Sequence, residues 1–318
     1  MSISEKIKDF LLNVCSADAV GIAPASALMD EPEGKRPTDI LPGAKSIVVF
    51  TRRIPDGAIQ AAFRAKEDGN EDAFSSYAAY ARELTPNMSV FFMQFRAVKF
   101  IEDNFRCVAV PIPSGPMQNV SSTNLPLPAF AGPCQRHYIL NGPRAAMAAG
   151  VGEMGWNNLL LTKEYGPRQT IGLVLTNIEL DYDAPYTGEK LCMGESCGIC
   201  AKVCPMAAIP PCGEKGREVG VCGRECSVAN INDNACCVAS LAFRNEFSGK
   251  ATTPDLIMDN NPDDETLAAA YGKKPFNHNS LGHHPNYYCD KCMLYCPVGN
   301  WQQRFGDKGL SKFGKEEE

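Results

Sequence analysis

The chain lacks several features that would place it at once. It has no run of 18 apolar residues, so no membrane span is expected. Basic residues are not in excess: 31 Lys and Arg stand against 37 Asp and Glu, a net charge of −6. A nucleic-acid backbone is therefore not expected as the main partner, because there is no basic surplus to displace its counterions. Residues 1–10 pattern as an amphipathic helix and not as a signal peptide, and no twin-arginine start is present. A cytoplasmic location is expected from this.

Cysteine is what the chain has in quantity. Twelve of its fifteen cysteines fall between Cys192 and Cys296. A disulfide scaffold suits small secreted chains, and 318 residues is not small. Two runs carry the signal: Cys192, Cys197, Cys200, Cys204-Pro205, and Cys289, Cys292, Cys296-Pro297. Both end in Cys-x2-Cys-x3-Cys-Pro. Zinc ribbons have no need of that ending, whereas iron–sulfur loops use it. In two-cluster folds the cysteine before Pro reaches across to the other cluster. The spacing thus predicts two 4Fe-4S clusters, one on Cys192, Cys197, Cys200 and Cys296. The other takes Cys204, Cys289, Cys292 and a fourth cysteine from between the runs, with Cys237 favoured and its neighbour Cys236 the alternative.

Before the runs, apolar periodicity predicts a helix over 3–14, an edge strand over 19–23 and a buried strand over 46–51. Helices follow at 58–66, 74–84 (broken by Pro86) and 91–105, then a strand at 107–110. Residues 111–133 hold six prolines with Leu125, Leu127 and Phe130, and read as an ordered loop lining a pocket. An Ala-rich helix is expected over 143–151, then a hairpin of strands 156–162 and 169–176. Residues 181–185 read as a linker, giving domains at 1–185 and 186–318. The second holds a polar insertion at 248–286.

Four segments together resemble the corrinoid iron–sulfur reductases, namely reductive dehalogenases and epoxyqueuosine reductases. They are Gly150-Val-Gly-Glu-Met-Gly155, Leu160-Leu-Thr-Lys-Glu-Tyr-Gly-Pro167, Val174-Leu-Thr-Asn-Ile-Glu-Leu180 and the first cysteine run. The resemblance implies an α+β fold: a nitroreductase-like corrinoid-binding domain followed by a two-cluster ferredoxin-like domain. It implies base-off cobalamin, reduced one electron at a time by the clusters, acting on a small organic substrate. An external donor such as ferredoxin or flavodoxin would supply the electrons. Val238-Ala-Ser-Leu241 after Cys237 also matches the family's helix, which supports Cys237 as ligand.

Two departures matter. Cys192 is separated from Cys197 by four residues where the family has two. The stretch His137-Tyr-Ile-Leu-Asn-Gly-Pro143 has no carboxylate where epoxyqueuosine reductases carry an acidic proton donor, and their tRNA-serving helical extension is not seen. Dehalogenase-like chemistry is therefore favoured. The alternatives are an epoxyqueuosine reductase, an electron-transfer or corrinoid-activating protein, or a flavin in place of the corrinoid.

Tyr138 is the first candidate proton donor, since a phenol beside a cation can protonate a carbanion. Tyr77 and Tyr80 are alternatives that also fit a helix face against the core. Arg52, Ser114, Ser122, His137, Asn157, Asn158, Arg168 and Gln169 are candidate cofactor contacts, with Ser121 beside them. Amide side chains would suit a corrin's amide rim, though turn chemistry explains Asn157 and Asn158 equally well. His278, His283 and His284 resemble a metal site but fit a solvated loop better.

Overall fold

The computed structural model describes residues 1–67, 76–112, 139–240, 243, 244, 246, 256–273 and 289–299. The chain starts with helix α1 (Ile3–Asp9), nucleated by a capping box. Ser2 Oγ accepts the Glu5 amide while the Glu5 carboxylate accepts the Ser2 amide, satisfying two orphan N–H groups. A wider π-helical turn, Phe10–Val14, continues it.

Four strands form an antiparallel sheet: β1 (Ala19–Pro24), β2 (Ser46–Arg53), β3 (Ala109–Ile112) and β6 (Gln169–Thr176), in the order β1-β2-β6-β3. β2 alternates its side chains between two apolar layers, as the period of two requires. Helix α2 (Asp56–Glu67) follows β2. Val48 and Phe50 join α1 and helix α3 (Val90–Phe105) on one face. Ile47 and Val49 join the Ala-rich helix α4 (Gly142–Ala148) on the other. Each such aliphatic side chain contributes about 1.5–3 kcal/mol by leaving water. α4 sits close because its residues are small and because β1 offers Gly21. A Cβ at Gly21 would lie 2.1 Å from the Ala149 carbonyl oxygen.

The α+β class and most element positions follow the sequence pattern, with four corrections. Pro86 does not break its helix. It lies inside a π-helical stretch, Ala78–Ser89, that runs directly into α3. The widened turn replaces the i→i−4 bond that a proline removes. The expected hairpin of 156–162 with 169–176 is absent. β6 is a central strand whose edges are taken by β2 and β3, while β5 (Leu160–Leu161) pairs with β4 (Glu153–Met154). A single bridge, Thr162 to Gly166, is what remains of the turn. β3 begins two residues later than expected and includes Pro111, tolerated on an edge strand. Residues 113–133 of the proline-rich loop lie outside the described residues.

The fourth correction concerns residues 210–235, where the sequence suggested no regular element. Strands β7 (Gly216–Val221) and β8 (Arg224–Ala229) form a hairpin there. Its two-residue turn, Cys222-Gly223, has φ of +50° and +79°, the left-handed conformation that suits the strand twist. Val221, Cys226 and Val228 of this hairpin complete the apolar layer beneath α4. Arg144 locks the arrangement. Its guanidinium bonds Glu31 at 2.5 Å, Asp30 at 2.8 Å and the Gly220 carbonyl at 2.9 Å. Helix α5 (Asp233–Ser240) follows the hairpin, and the polar insertion contains helix α6 (Asp264–Lys273). No described helix is long and apolar enough to cross a membrane.

Candidate functional site

The first cysteine run is held from outside the run. Glu153, from the Gly-Glu-Met-Gly segment, is 2% exposed. Its Oε1 accepts the amides of Leu191 at 2.5 Å and Cys192 at 2.8 Å, and its Oε2 takes Arg224 at 2.7 Å. Three residues on, the Trp156 amide donates to Cys192 Sγ at 3.3 Å, and the indole N–H donates to the Pro210 carbonyl at 2.8 Å. Gly194 and Gly198 adopt φ of +55° and +59°, which lets the run double back on itself. A short helical turn, Ile199–Lys202, then leads to Cys204.

The second run is held just as firmly. Arg168 is nearly inaccessible, and its guanidinium donates to the carbonyls of Met293 at 3.1 Å, Cys296 at 2.9 Å and Val298. A Cβ at Gly166 would meet the Val298 carbonyl oxygen at 2.1 Å, so only glycine permits this approach. Asn157 Nδ2 donates to the Cys292 carbonyl at 3.1 Å. Tyr77, fully buried, donates its hydroxyl to Asp290 at 2.7 Å.

These anchors bring the two runs together. Cys192, Cys197, Cys200 and Cys296 line one cavity, with Cys212 as a fifth thiol. Cys237 is buried in a separate apolar cluster against which Cys204, Cys236 and Cys289 pack. Cys292 and Cys204 both border the Trp156 side. Cys296 thus lines the cavity of the first run, while Cys204 packs both against the Cys237 cluster and beside Trp156 with Cys192 and Cys200. Both Cys236 and Cys237 reach the second set. Burial pushes Cys200 up to about 12, helped by the neighbouring sulfurs of Cys212 and Cys192. Burial also pushes Cys296 up to about 11. A bound iron centre inverts this, because metal charge deprotonates a coordinating thiol outright.

The donor chemistry fits two iron–sulfur cubes. No disulfide joins the described cysteines. Among the described residues no three side chains converge as single-ion ligands. A cube asks for the looser arrangement, since its four thiolates bind four different irons.

The candidate corrinoid contacts are dispersed. Arg52 Nη1 donates to the Ser16 carbonyl and pairs with Asp18 at 3.9 Å. Asn158, at φ +59°, donates to the Ala229 carbonyl at 2.8 Å and accepts from Arg217 at 3.2 Å. Asn157 and Arg168 serve the second cysteine run. Gln169 donates to Thr162 at 2.9 Å and Gly166 at 2.7 Å, while its buried Oε1 has no partner among the described residues. Buried Thr51 Oγ1 likewise has no hydrogen-bond partner among the described residues, and the described residues do not by themselves frame a corrinoid site. Ser114, Ser121, Ser122, His137, Tyr138, His278, His283 and His284 lie outside the described residues. Of the alternative tyrosines, Tyr77 is buried and Tyr80 exposed.

Glu153, Trp156 and Cys212 were not marked by sequence reasoning. Glu153 carried a signal, since it sits in the motif that supports the resemblance. Cys212 carried none, standing eight residues past its run in a Pro- and Gly-rich stretch.

No protein-family model matches the chain. The tetrachloroethene reductive dehalogenase of Dehalobacter restrictus is 41% identical over 83 residues, 25% of this chain and 14% of that protein. The epoxyqueuosine reductase of Synechocystis is 23% identical over 184 residues, 56% of this chain and 58% of that protein. In both cases less than two thirds of the relative's length is covered. A crystal structure of epoxyqueuosine reductase with an epoxyqueuosine-modified tRNA stem loop shares the fold. Its TM-score is 0.50 at 16% identity, over 93% of this chain and 66% of that one. The chain is a distant homologue of the reductive dehalogenases and epoxyqueuosine reductases.

Proposed function

We propose that the protein is a cytoplasmic oxidoreductase that passes electrons through two 4Fe-4S clusters to a corrinoid, which reduces a small organic substrate. The observation that carries this reading is the meeting of two cysteine runs, about ninety residues apart, around one cavity. In this reading residues 1–185 form a nitroreductase-like corrinoid-binding domain and residues 186–318 a ferredoxin-like electron-transfer domain. Cys192, Cys197, Cys200 and Cys296 hold one cluster. Cys204, Cys237, Cys289 and Cys292 hold the other.

A bound corrinoid would supply a low-valent cobalt centre for two-electron reduction, and the protein supplies position, electrons and a proton. Gln169 Oε1 would accept from the corrin's amide rim. Tyr138 would hold the proton on its phenol oxygen, and the basic neighbours Arg136 and His137 would ease its release. Ferredoxin or flavodoxin would reduce the clusters from outside.

Reconstitution without oxygen tests the reading. The chain should take up about eight irons, as two four-iron clusters require, and show a cob(II)alamin band when cobalamin is supplied. Iron without corrinoid affinity would leave an electron carrier, and one bound flavin would replace the corrinoid.

A second reading, epoxyqueuosine reduction, is favoured by the length of the Synechocystis alignment. The 83-residue match to the dehalogenase has the higher identity, and the stretch 137–143 has no carboxylate. Turnover of a halogenated organic compound, set against turnover of an epoxyqueuosine-containing stem loop, separates the two.

A further inference from the structure

Five thiols line the first cavity, and a four-iron cube has four corners to fill. Cys212 is the one the spacing does not assign. Its position is ordered by contacts of its own. Trp156 anchors Pro210 at 2.8 Å, and Gly213 turns the chain at φ +84°. Cys212 packs beside Trp156 with Cys192 and Cys200. It therefore sits against the run that presents the other thiols.

A second cavity separates the five into two kinds. A groove of about 850 Å³ runs beside the site between residues 190–195 and the β7–β8 hairpin. Of the five thiols, Cys192 and Cys212 line it, while Cys197, Cys200 and Cys296 face only the inner cavity. Three inner thiols would leave one corner of a cube to be filled from the groove side, where Cys192 and Cys212 lie. The Trp156 amide donates to Cys192 Sγ, and an N–H donor of this kind stabilises thiolate and lowers the cost of burying it.

We propose that Cys192 and Cys212 are interchangeable ligands for the groove-facing corner of the first cluster. The four-residue gap between Cys192 and Cys197 gives Cys192 room to leave that corner, and Cys212 is placed to take it. The exchange swaps one iron–thiolate bond for another. The departing thiolate takes up a proton from water entering by the groove, and the arriving thiol gives one up, so no electron moves. This rests on the functional reading above for the presence of the cluster.

The test uses the full chain, reconstituted anaerobically with ferrous iron and sulfide, as wild type, Cys192→Ala, Cys212→Ala and the double variant. Iron per chain and the reduced-state electron paramagnetic resonance spectrum are read. Each single variant should keep about eight irons, and the double variant should keep about four, having lost one cluster. A fall to about four in either single variant overturns the exchange, as does a double variant that keeps about eight. A wild type that takes up no iron would sink the functional reading instead.

Alkylation keeps the proposal testable should the double variant fail to fold. Brief iodoacetamide treatment of the loaded wild type should label Cys192 and Cys212 each in part, the two adding to about one per chain. Exclusive labelling of either one overturns the proposal.

Discussion

Glu153 accepts the backbone amide of Cys192 at 2.8 Å, joining the segment before β5 to the first thiol of the cysteine-rich region. The carboxylate is buried and its charge is met by Arg224. Glu153→Ala should cost about 1–3 kcal/mol, for the Leu191 and Cys192 amides left without their acceptor. In the Cys212→Ala background, where Cys192 alone can fill the groove-facing corner, it should also lower the iron content after reconstitution. A thermal melt and an iron assay check both. Full iron loading of that double variant at reduced stability would confine Glu153 to a folding role.

Cys236 and Cys237 are adjacent, and both reach the apolar cluster that receives Cys204 and Cys289. Cys237 is 3% exposed and belongs to that cluster's core, whereas Cys236 packs from its margin. Cys237→Ser should therefore lose about half of the roughly eight irons expected, and Cys236→Ser should lose none. The opposite result would move the ligand one residue back.

Arg144 neutralises Glu31, which is 4% exposed, and reaches Asp30 as well. Arg144→Ala would leave the Glu31 carboxylate buried without its cation and should cost about 3–5 kcal/mol in a denaturant titration. A pH signature accompanies it. The hydrogen bond from Arg144 holds the Asp30 carboxyl below its ordinary value. A depressed carboxyl adds stability above its unfolded pKa, and that increment is lost as pH falls through the folded value. Acid should thus narrow the gap between wild type and Arg144→Ala. A gap that widened on acidification would contradict the assignment.

Arg168 donates to three carbonyls at the end of the second cysteine run. Lysine offers a point charge in place of a planar fork, so Arg168→Lys is not conservative here. It should destabilise the protein by about 1–3 kcal/mol for the carbonyls left unsatisfied. It should also shift the reduction potential of the cluster bound by Cys296. Unchanged stability and potential would show that the clamp is redundant.

Much of this was legible in the chain. The two-residue period of β2 and the 3.6-residue period of α3 survive folding because each packs one pattern against one layer. The cysteine spacing predicted that the two runs would meet, and Cys296 lines the cavity of the first run, since a short loop cannot wrap a cube alone. What escaped was non-local. Whether β6 pairs with β5 or with β2 depends on which edges are free, and no local pattern records that. Pro86 was misread because a π-helical stretch removes the bond the proline would break. Glu153 and Arg168 were invisible as anchors because their partners lie tens of residues away, and backbone carbonyls and amides have no sequence signature.

The apolar layer under α4 has one further consequence. Ile47, Val49 and the alanines of α4 come before residue 185 in the chain, and Val221, Cys226 and Val228 come after it. A polypeptide ended at residue 185 would carry that face uncovered into water. It should behave as an insoluble fragment, while supplying residues 186–318 as a separate chain should rescue it. The two parts of the chain would then share one core that neither a protease nor a cloning strategy could divide.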